Sequence, residues 1–488
     1  MGRPRPPYVI SLDVGTTNIK AALIDSEFKV VRVVRERTPF RKSGDRVSEH
    51  EPRLLLEKAE QLVRKLAREH GGEVEALAIS SYICGLIALD KNLRELTGMI
   101  TWADARSGEV LGELWSRHDP REIYERTGCP PLHMYLPPRI WWLRKAMPEA
   151  AEKAALLLGS KSYFILHLLG QPYTDLAMAS STQLLNIKEL RWDDVALGVV
   201  EIGEEALPMP VEGGRILDTL PGRVSASLGL GSSVSLVPSV FDGASFIVGL
   251  GCYSQGAGAS HIGTSSMIRV SSESPVIDSS GMEIQCYYLM DGRWIPGSSV
   301  GNAGILLEWL AEGFGISVGE ILGEVSGLRV DADSPISIPI LVPERIPLLS
   351  GRQGVLIHGL GLGHGLPHLA QSLLLGFTLL LRRIKEILGR TGLEIRELRV
   401  AGGGSRDPNI LQLISDMLGL PVRKPIGVDE AGLLGNAVAA FKALGYLGGL
   451  DKWSPVKWDE YRPRPGSGMV SDRLYERFER LLDCYLRL

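Results

Sequence analysis

The chain has 488 residues, 44% hydrophobic and 23% charged, which is ordinary globular usage, excludes disorder and suggests two to four domains at ~100–200 residues each. Its 53 Lys and Arg face 57 Asp and Glu, and this slightly acidic balance argues against a nucleic-acid binder. Glycine is the one excess: 56 residues, about 11% against a usual ~7%, with no collagen period, so backbone must turn sharply or approach something closely.

The five cysteines are scattered and form no C-x-x-C pair, which disfavours a zinc or redox site and suits a reducing cytoplasm. Arg3, Arg5 and the Arg32–Arg37 stretch read as solvated surface. The most apolar run, Leu373–Leu381, stops at Arg382-Arg383, well short of the ~20 residues a membrane span needs. The expectation is a soluble cytoplasmic protein.

In chain order, Tyr8–Leu12 and Lys20–Asp25 are β-prone runs around a Gly15-Thr16-Thr17 turn, and Val30–Glu36 is a third strand. Glu51–His70 carries Leu55, Ala59, Leu62, Val63 and Leu66 at helical spacing, with Gly71-Gly72 as its C-cap. Strands follow at Ala76–Ser80 and Gly85–Asp90. A similar grammar restarts near Ser239. Val248–Gly251 and Ala259–Ile262 are β-prone, Gly301–Gly313 and Leu366–Leu388 helical, and Leu398–Ala401 a strand running into three glycines. Helices are expected at Ile410–Leu418, Ala431–Leu444 and, amphipathic, Ser471–Leu488. The chain reads as two α/β halves, each opening with a β-turn-β element, meeting between residues 238 and 246.

Five motifs carry chemistry. In Asp13-Val14-Gly15-Thr16-Thr17-Asn18-Ile19-Lys20 the glycine admits a ligand to the backbone, N–H and hydroxyl groups can cradle phosphate, Asp13 can hold Mg²⁺ through water, and Lys20 can face a transferring phosphoryl group. Gly263-Thr264-Ser265 repeats this in the second half. Gly402-Gly403-Gly404-Ser405, between a strand and a helix, suits a flat ligand or an anion. It is not G-x-G-x-x-G, which disfavours a dinucleotide site. Trp102-Ala103-Asp104-Ala105-Arg106, if extended, puts an aromatic, an acid and a guanidinium on one side, where they could bind a polyol. Asp242-Gly243, at the junction, offers a carboxylate to take a hydroxyl proton. Each motif alone is also an ordinary turn or surface strand.

Together these residues resemble the FGGY family of carbohydrate kinases, over about residues 8–445 and in family order. Gluconokinase/xylulokinase-like members look most similar, the gluconokinase-like ones through Ile100–Ser107, Thr127–His133 and Gly263–Arg269. The resemblance implies two actin-like (ribonuclease H-like) α/β domains, 1–243 and 244–488, with a catalytic cleft between them. It implies ATP and Mg²⁺ as cofactors, with Asp13 at the metal, and phosphates held by Gly15, Thr16, Thr17, Asn18, Gly263 and Thr264. Gly402, Gly403, Gly404, Ser405 and Asn409, with Gln412, Asp416 and Glu430, fall on the adenosine stretch. The sugar falls to Tyr82, Cys84, Trp102, Asp104, Arg106 and His133, and Asp242 matches the general base, with Lys20 beside it.

Some positions depart from the family pattern. Ile83-Cys84 stands where members often carry Met-His, Arg139 replaces a usual Lys, and Gly243 replaces the Gln of many pentulose kinases. The implied activity is phosphorylation of a gluconate- or pentulose-type sugar, sugar acid or polyol. Alternatives are a glycerol or other polyol kinase, or a non-catalytic actin-like ATP-binding protein. The implied partner is a small-molecule sugar, with no nucleic acid and no membrane; a homodimer is compatible with it.

Overall fold

A computed structural model describes residues 7–43 and 46–488; Arg3 and Arg5 lie outside them. The first half opens with an antiparallel meander of β1 (Tyr8–Val14), β2 (Asn18–Asp25) and β3 (Val30–Arg37). The amphipathic α1 (Pro52–His70) buries Leu55, Ala59, Leu62, Val63 and Leu66, the stripe that its spacing predicts. It leads into β4 (Val74–Ser81), parallel to β1. After α2 (Leu136–Ala146) and α3 (Ser160–Leu169), the short β5 (Asp218–Thr219) and β6 (Ser235–Pro238) complete a sheet ordered β5-β6-β4-β1-β2-β3. The chain leaves this sheet through α4 (Asp242–Gly249).

The second half repeats the plan. Strands β7 (Ala257–His261), β8 (Ser266–Val270), β9 (Gln285–Tyr288) and β10 (Trp294–Val300) are antiparallel. Beyond α5 (Gly304–Phe314), β11 (Ile336–Ile340) and the long α6 (Leu366–Arg390), β12 (Glu397–Ala401) pairs parallel with β7. Then come α7 (Pro408–Leu418), β13 (Val422–Pro425), α8 (Ala431–Ala443), β14 (Trp458–Tyr461) and α9 (Ser467–Arg487). The sheet order is β9-β10-β8-β7-β12-β13-β14. The run β10-β8-β7-β12-β13 matches β3-β2-β1-β4-β6: an antiparallel meander followed by two parallel strands. This is the duplicated actin-like α/β fold.

Each half has its own apolar core, and a third core joins them. It unites Val9 and Ala22 of the first sheet with Ala259 of the second, around Ile247 of α4 and Ala437 and Phe441 of α8. The two helices meet backbone to backbone. A Cβ on Gly249 would lie 1.8 Å from the carbonyl oxygen of Ala431, and one on Gly435 1.8 Å from that of Ser245. Only glycine permits that approach.

Three local expectations are corrected. Val248–Gly251 is no strand: its first residues end α4, where Ala244–Leu250 are all buried. An apolar run buried on every side has no periodicity to separate helix from strand. Gly71 continues in right-handed helical geometry at φ -57°. It is needed for space, since its Cβ would fall 2.0 Å from the Gly229 carbonyl oxygen. Trp102–Arg106 turns instead of extending, and enters a short 3-10 segment at Arg106–Val110.

If the α4–α8 crossing holds the halves together, Gly435→Ala should lower unfolding free energy by about 1–3 kcal/mol. Gly448→Ala, where nothing lies within 4 Å, should change it little. Equal denaturation midpoints for the two variants would contradict this.

Candidate functional site

A cavity of ≈ 670 Å³ opens between the halves, its walls drawn from both. Asp13 reaches it from the end of β1 and Lys20 from β2, while Tyr82 and Ile83 follow β4. Asp242 enters at the first turn of α4. From the second half come Gly402, Gly403 and Ser405 after β12 and the segment from Lys424 to Leu433. Functional groups thus cluster at the carboxyl ends of parallel strands, where open α/β sheets place ligands.

Asp13 is held by a relay that crosses the molecule. The Ser245 hydroxyl donates to Asn436 Oδ1 (2.5 Å), Asn436 Nδ2 donates to Ser80 Oγ (2.7 Å), and Ser80 Oγ donates to Asp13 Oδ1 (2.8 Å). Every donor and acceptor along this line is used in one direction, which fixes the carboxylate's orientation. Burial nevertheless raises the Asp13 pKa, with Ser80 and Lys20 opposing. Asp242 behaves alike. Burial first, then the negative charge of Asp13, push it up to about 7, against its own Gly243 N–H (2.8 Å), Arg345 and Lys161. A carboxylate raised by burial and by a neighbouring carboxylate is matched by a cation or by a proton.

The first glycine turn is tight: Gly15 N–H donates to Asn18 O (3.1 Å), and a Cβ on Gly15 would lie 2.5 Å from that oxygen. Trp102 Nε1 donates to Thr16 Oγ1 (2.8 Å), leaving the threonine proton free for another acceptor. Gly402 has φ 105° and backs onto the Ile262 carbonyl, whereas Gly403 meets nothing within 4 Å.

Among the predicted residues, Asp13, Lys20, Tyr82, Trp102, Asp242, Gly402, Gly403 and Ser405 line the cavity. Gly15, Thr16, Thr17 and Asn18 lie between the lining residues Asp13 and Lys20 in sequence, and Gly263 and Thr264 between His261 and Ser265, without themselves forming its wall. Gly404 faces Ile262.

Other placements differ from expectation. Lys20 is not a free charge: its Nζ pairs with Glu430 across the cleft at 2.7 Å. Cys84 is buried, its thiol on the Ser181 carbonyl (3.2 Å), and Ile83 takes the wall instead. Arg106 pairs with both Asp104 (2.8 Å) and Glu49 (2.5 Å), while Asp104 also accepts from Ser48 N–H. Because the segment turns, only Trp102 of its three polar side chains reaches the cavity. His133 precedes the lining Met134; burial and Arg139 lower its pKa to about 4, so it is neutral. Asn409 is exposed near the start of α7, which Asp407 caps through Asn409 and Ile410 N–H, so that helix end is already satisfied. Gln412 and Asp416 bind one another, and Asp416 also holds Arg464.

Three cations matter that sequence reasoning did not assign to the site. Lys161, fully buried at the start of α3, pairs with Asp175 at 2.5 Å and donates to Ser239 O at 2.8 Å, bracing the turn before Asp242. A lysine leading the apolar Tyr163-Phe164-Ile165 was its only signal. Arg139, noted as a departure, donates to the carbonyls of Cys84 and Thr101 at 2.5 Å each and ties two wall segments together. Arg345 lines the cavity with its guanidinium 4.1 Å from the Trp102 ring centroid. Its signal was a charged pair between two prolines, Pro343-Glu344-Arg345-Ile346-Pro347.

Residues 8–249 match the profile of the FGGY family of carbohydrate kinases, N-terminal domain, and residues 258–444 that of its C-terminal domain. A gluconokinase of Bacillus subtilis (strain 168) is 27% identical over 477 residues, covering 94% of this chain and 92% of its own. The crystal structure of gluconate kinase from Lactobacillus acidophilus superposes with a TM-score of 0.94 at 25% identity, over 99% of this chain and 98% of that one. A ligand-bound xylulose kinase from the same organism gives 0.93 at 25% identity, over 98% of each.

In a carboxyl NMR titration of the free protein, the Asp242 signal should bend near pH 7. Asp13→Asn removes a negative neighbour and should move the bend to lower pH. A bend in the ordinary aspartate range near ~4, unmoved by that substitution, would contradict the carboxylate coupling.

Proposed function

Because the chain belongs to the FGGY family of carbohydrate kinases and so is a sugar-kinase phosphotransferase, we propose that it transfers the γ-phosphoryl group of ATP to a hydroxyl of a small sugar or sugar acid of gluconate or pentulose type, with Asp242 as the base. The observation that carries this reading is Asp242 itself. It stands at the junction of the halves, in one cavity with Asp13 and the glycine turn of Gly402 and Gly403, with a pKa near 7. A carboxylate poised there matches a general base working at neutral pH.

The residues fit the cofactors. Mg²⁺ binds through one or two carboxylates, waters and phosphate oxygens and needs no all-protein cage. The described residues hold no group of three or more His, Cys, Asp or Glu that could form one. Asp13 would hold the ion through water, with its carboxylate oriented by Ser80. Bound Mg·ATP supplies the phosphoryl group and the cation that screens it. Thr16, with its proton free, suits phosphate oxygens, as do those N–H groups of the two glycine turns that, unlike Gly15 N–H, have no carbonyl partner.

Acceptor alignment falls to the cavity wall. Trp102 offers an apolar face and Ile83 and Met134 add bulk, while Asp242 takes the hydroxyl proton. Phosphoryl transfer needs positioning and charge stabilisation more than a strong nucleophile. The two halves closing on the cavity would exclude water and limit idle ATP hydrolysis. Among the described residues no helix is long and apolar enough to cross a membrane.

ADP release should be measured over gluconate, xylulose, ribulose, glycerol and inositols. We expect a sugar acid or a pentulose to stimulate it; ATPase activity indifferent to every acceptor would overturn the reading. With the accepted sugar, Asp242→Ala should lower kcat by roughly 10²–10⁴-fold and leave ADP affinity unchanged. Near-normal turnover would remove Asp242 from the base role.

A further inference from the structure

Arg345 sits on a loop of the second half that is pinned from behind. The Glu344 carboxylate accepts from Gly301 N–H (2.7 Å), Asn302 N–H (3.2 Å) and Asn302 Nδ2 (2.6 Å). Asn302 Oδ1 in turn accepts from Leu341 and Val342 N–H at 2.8 and 2.9 Å. The Arg345 carbonyl accepts from Gln285 Nε2 at 3.0 Å. Glu344, the nearest carboxylate in sequence, is therefore saturated by the loop and makes no ion pair with Arg345.

The guanidinium itself is left over. Among the described residues it has no hydrogen-bond acceptor and no carboxylate within ion-pair distance. It lies over the Trp102 ring instead, 4.1 Å from the centroid. Burial lowers its pKa, as expected of a cation withdrawn from water. Its charge is felt at Asp242, Cys84 and His133, which places it on the acceptor side of the cavity and beside the reacting end. Arg269, another arginine lining the cavity, contrasts with it: its guanidinium donates to Gln285 and to the Ile295 carbonyl, so its donors are in use. An arginine fork on a pinned loop, partly dried and without an acceptor, is a ready site for ligand oxygen atoms.

We infer that Arg345 is a catalytic residue of the second half that binds the acceptor, donating its free fork to oxygen atoms next to the hydroxyl that Asp242 deprotonates. This rests on the kinase reading above. It places one acceptor-binding group on each side of the cleft: Asp242 from the first half and Arg345 from the second. Because Arg345 serves the reacting end, it acts on sugar acids and neutral sugars alike.

The test compares wild type with Arg345→Met and Arg345→Lys, using the accepted sugars of the ADP-release screen. Loss of a charge-assisted hydrogen bond should raise the acceptor KM by roughly 10- to 100-fold in Arg345→Met, with the KM for ATP within about twofold of wild type. Arg345→Lys should recover part of the loss. Guanidinium chloride at sub-denaturing concentration should recover part of it in Arg345→Ala, and matched NaCl should not. The rise in melting temperature that the acceptor gives wild type should vanish in Arg345→Met while the rise given by ADP persists, which separates lost binding from lost folding. An unchanged acceptor KM in Arg345→Met, or an equal rise in KM for ATP, overturns the inference and leaves the kinase reading standing. A loss confined to gluconate overturns the placement at the reacting end. Wild type inert toward every acceptor overturns both.

Discussion

The structure depends on the crossing of α4 and α8. Two helices from different halves touch through glycines at a separation that no side chain allows, and both sheets pack on the pair. Asp242 opens α4, and the Lys424–Glu430 wall runs into α8. The same contact that joins the halves therefore sets the distance across the cleft. Asn436, on α8, links this packing to the carboxylates: it joins Ser245 of α4 to Ser80 of the first sheet, and through Ser80 to Asp13. Packing and carboxylate orientation are one connected system.

Electrostatics gives the cavity its character. Asp13 and Asp242 are desolvated and repel each other, and the compensating cations stand around them: Lys20, Lys161 and Arg345. Two of these are already committed, Lys20 to Glu430 and Lys161 to Asp175. The site is thus nearly neutral within its protein frame, with no basic surface around the carboxylates. This agrees with a chain whose overall charge is only -4.

Much of the fold was legible because periodicity reports a half-buried element well. The α1 stripe, the β1-β2 hairpin and the restart of the same grammar in the second half all appear as expected. What was not legible has a common cause. Val248–Gly251 is buried on all sides, so its apolar run carried no period. Trp102–Arg106 looked like an alternating strand, yet Asp104 and Arg106 find partners two residues apart and fold the segment back. The same limit applied to the site. Glycine turns and Asp242 announce themselves locally, whereas Lys161, Arg139 and Arg345 matter through partners far away in the chain, such as Ser239, Cys84 and Trp102.

The closed Glu49–Asp104–Arg106 cluster has a consequence for how such a pocket changes over evolutionary time. Its two carboxylates share one guanidinium inside the first half, and Asp104 is anchored on backbone at Ser48, so the wall it supports stays in place whatever lines it. The side chains that do face the cavity there, Ile83 and Met134, are uncharged and follow a strand end or sit in a turn. Exchanging them alters volume and polarity without disturbing an ion pair or a helix. Such a scaffold can change the shape of its pocket by few and independent substitutions, while the frame behind it remains untouched.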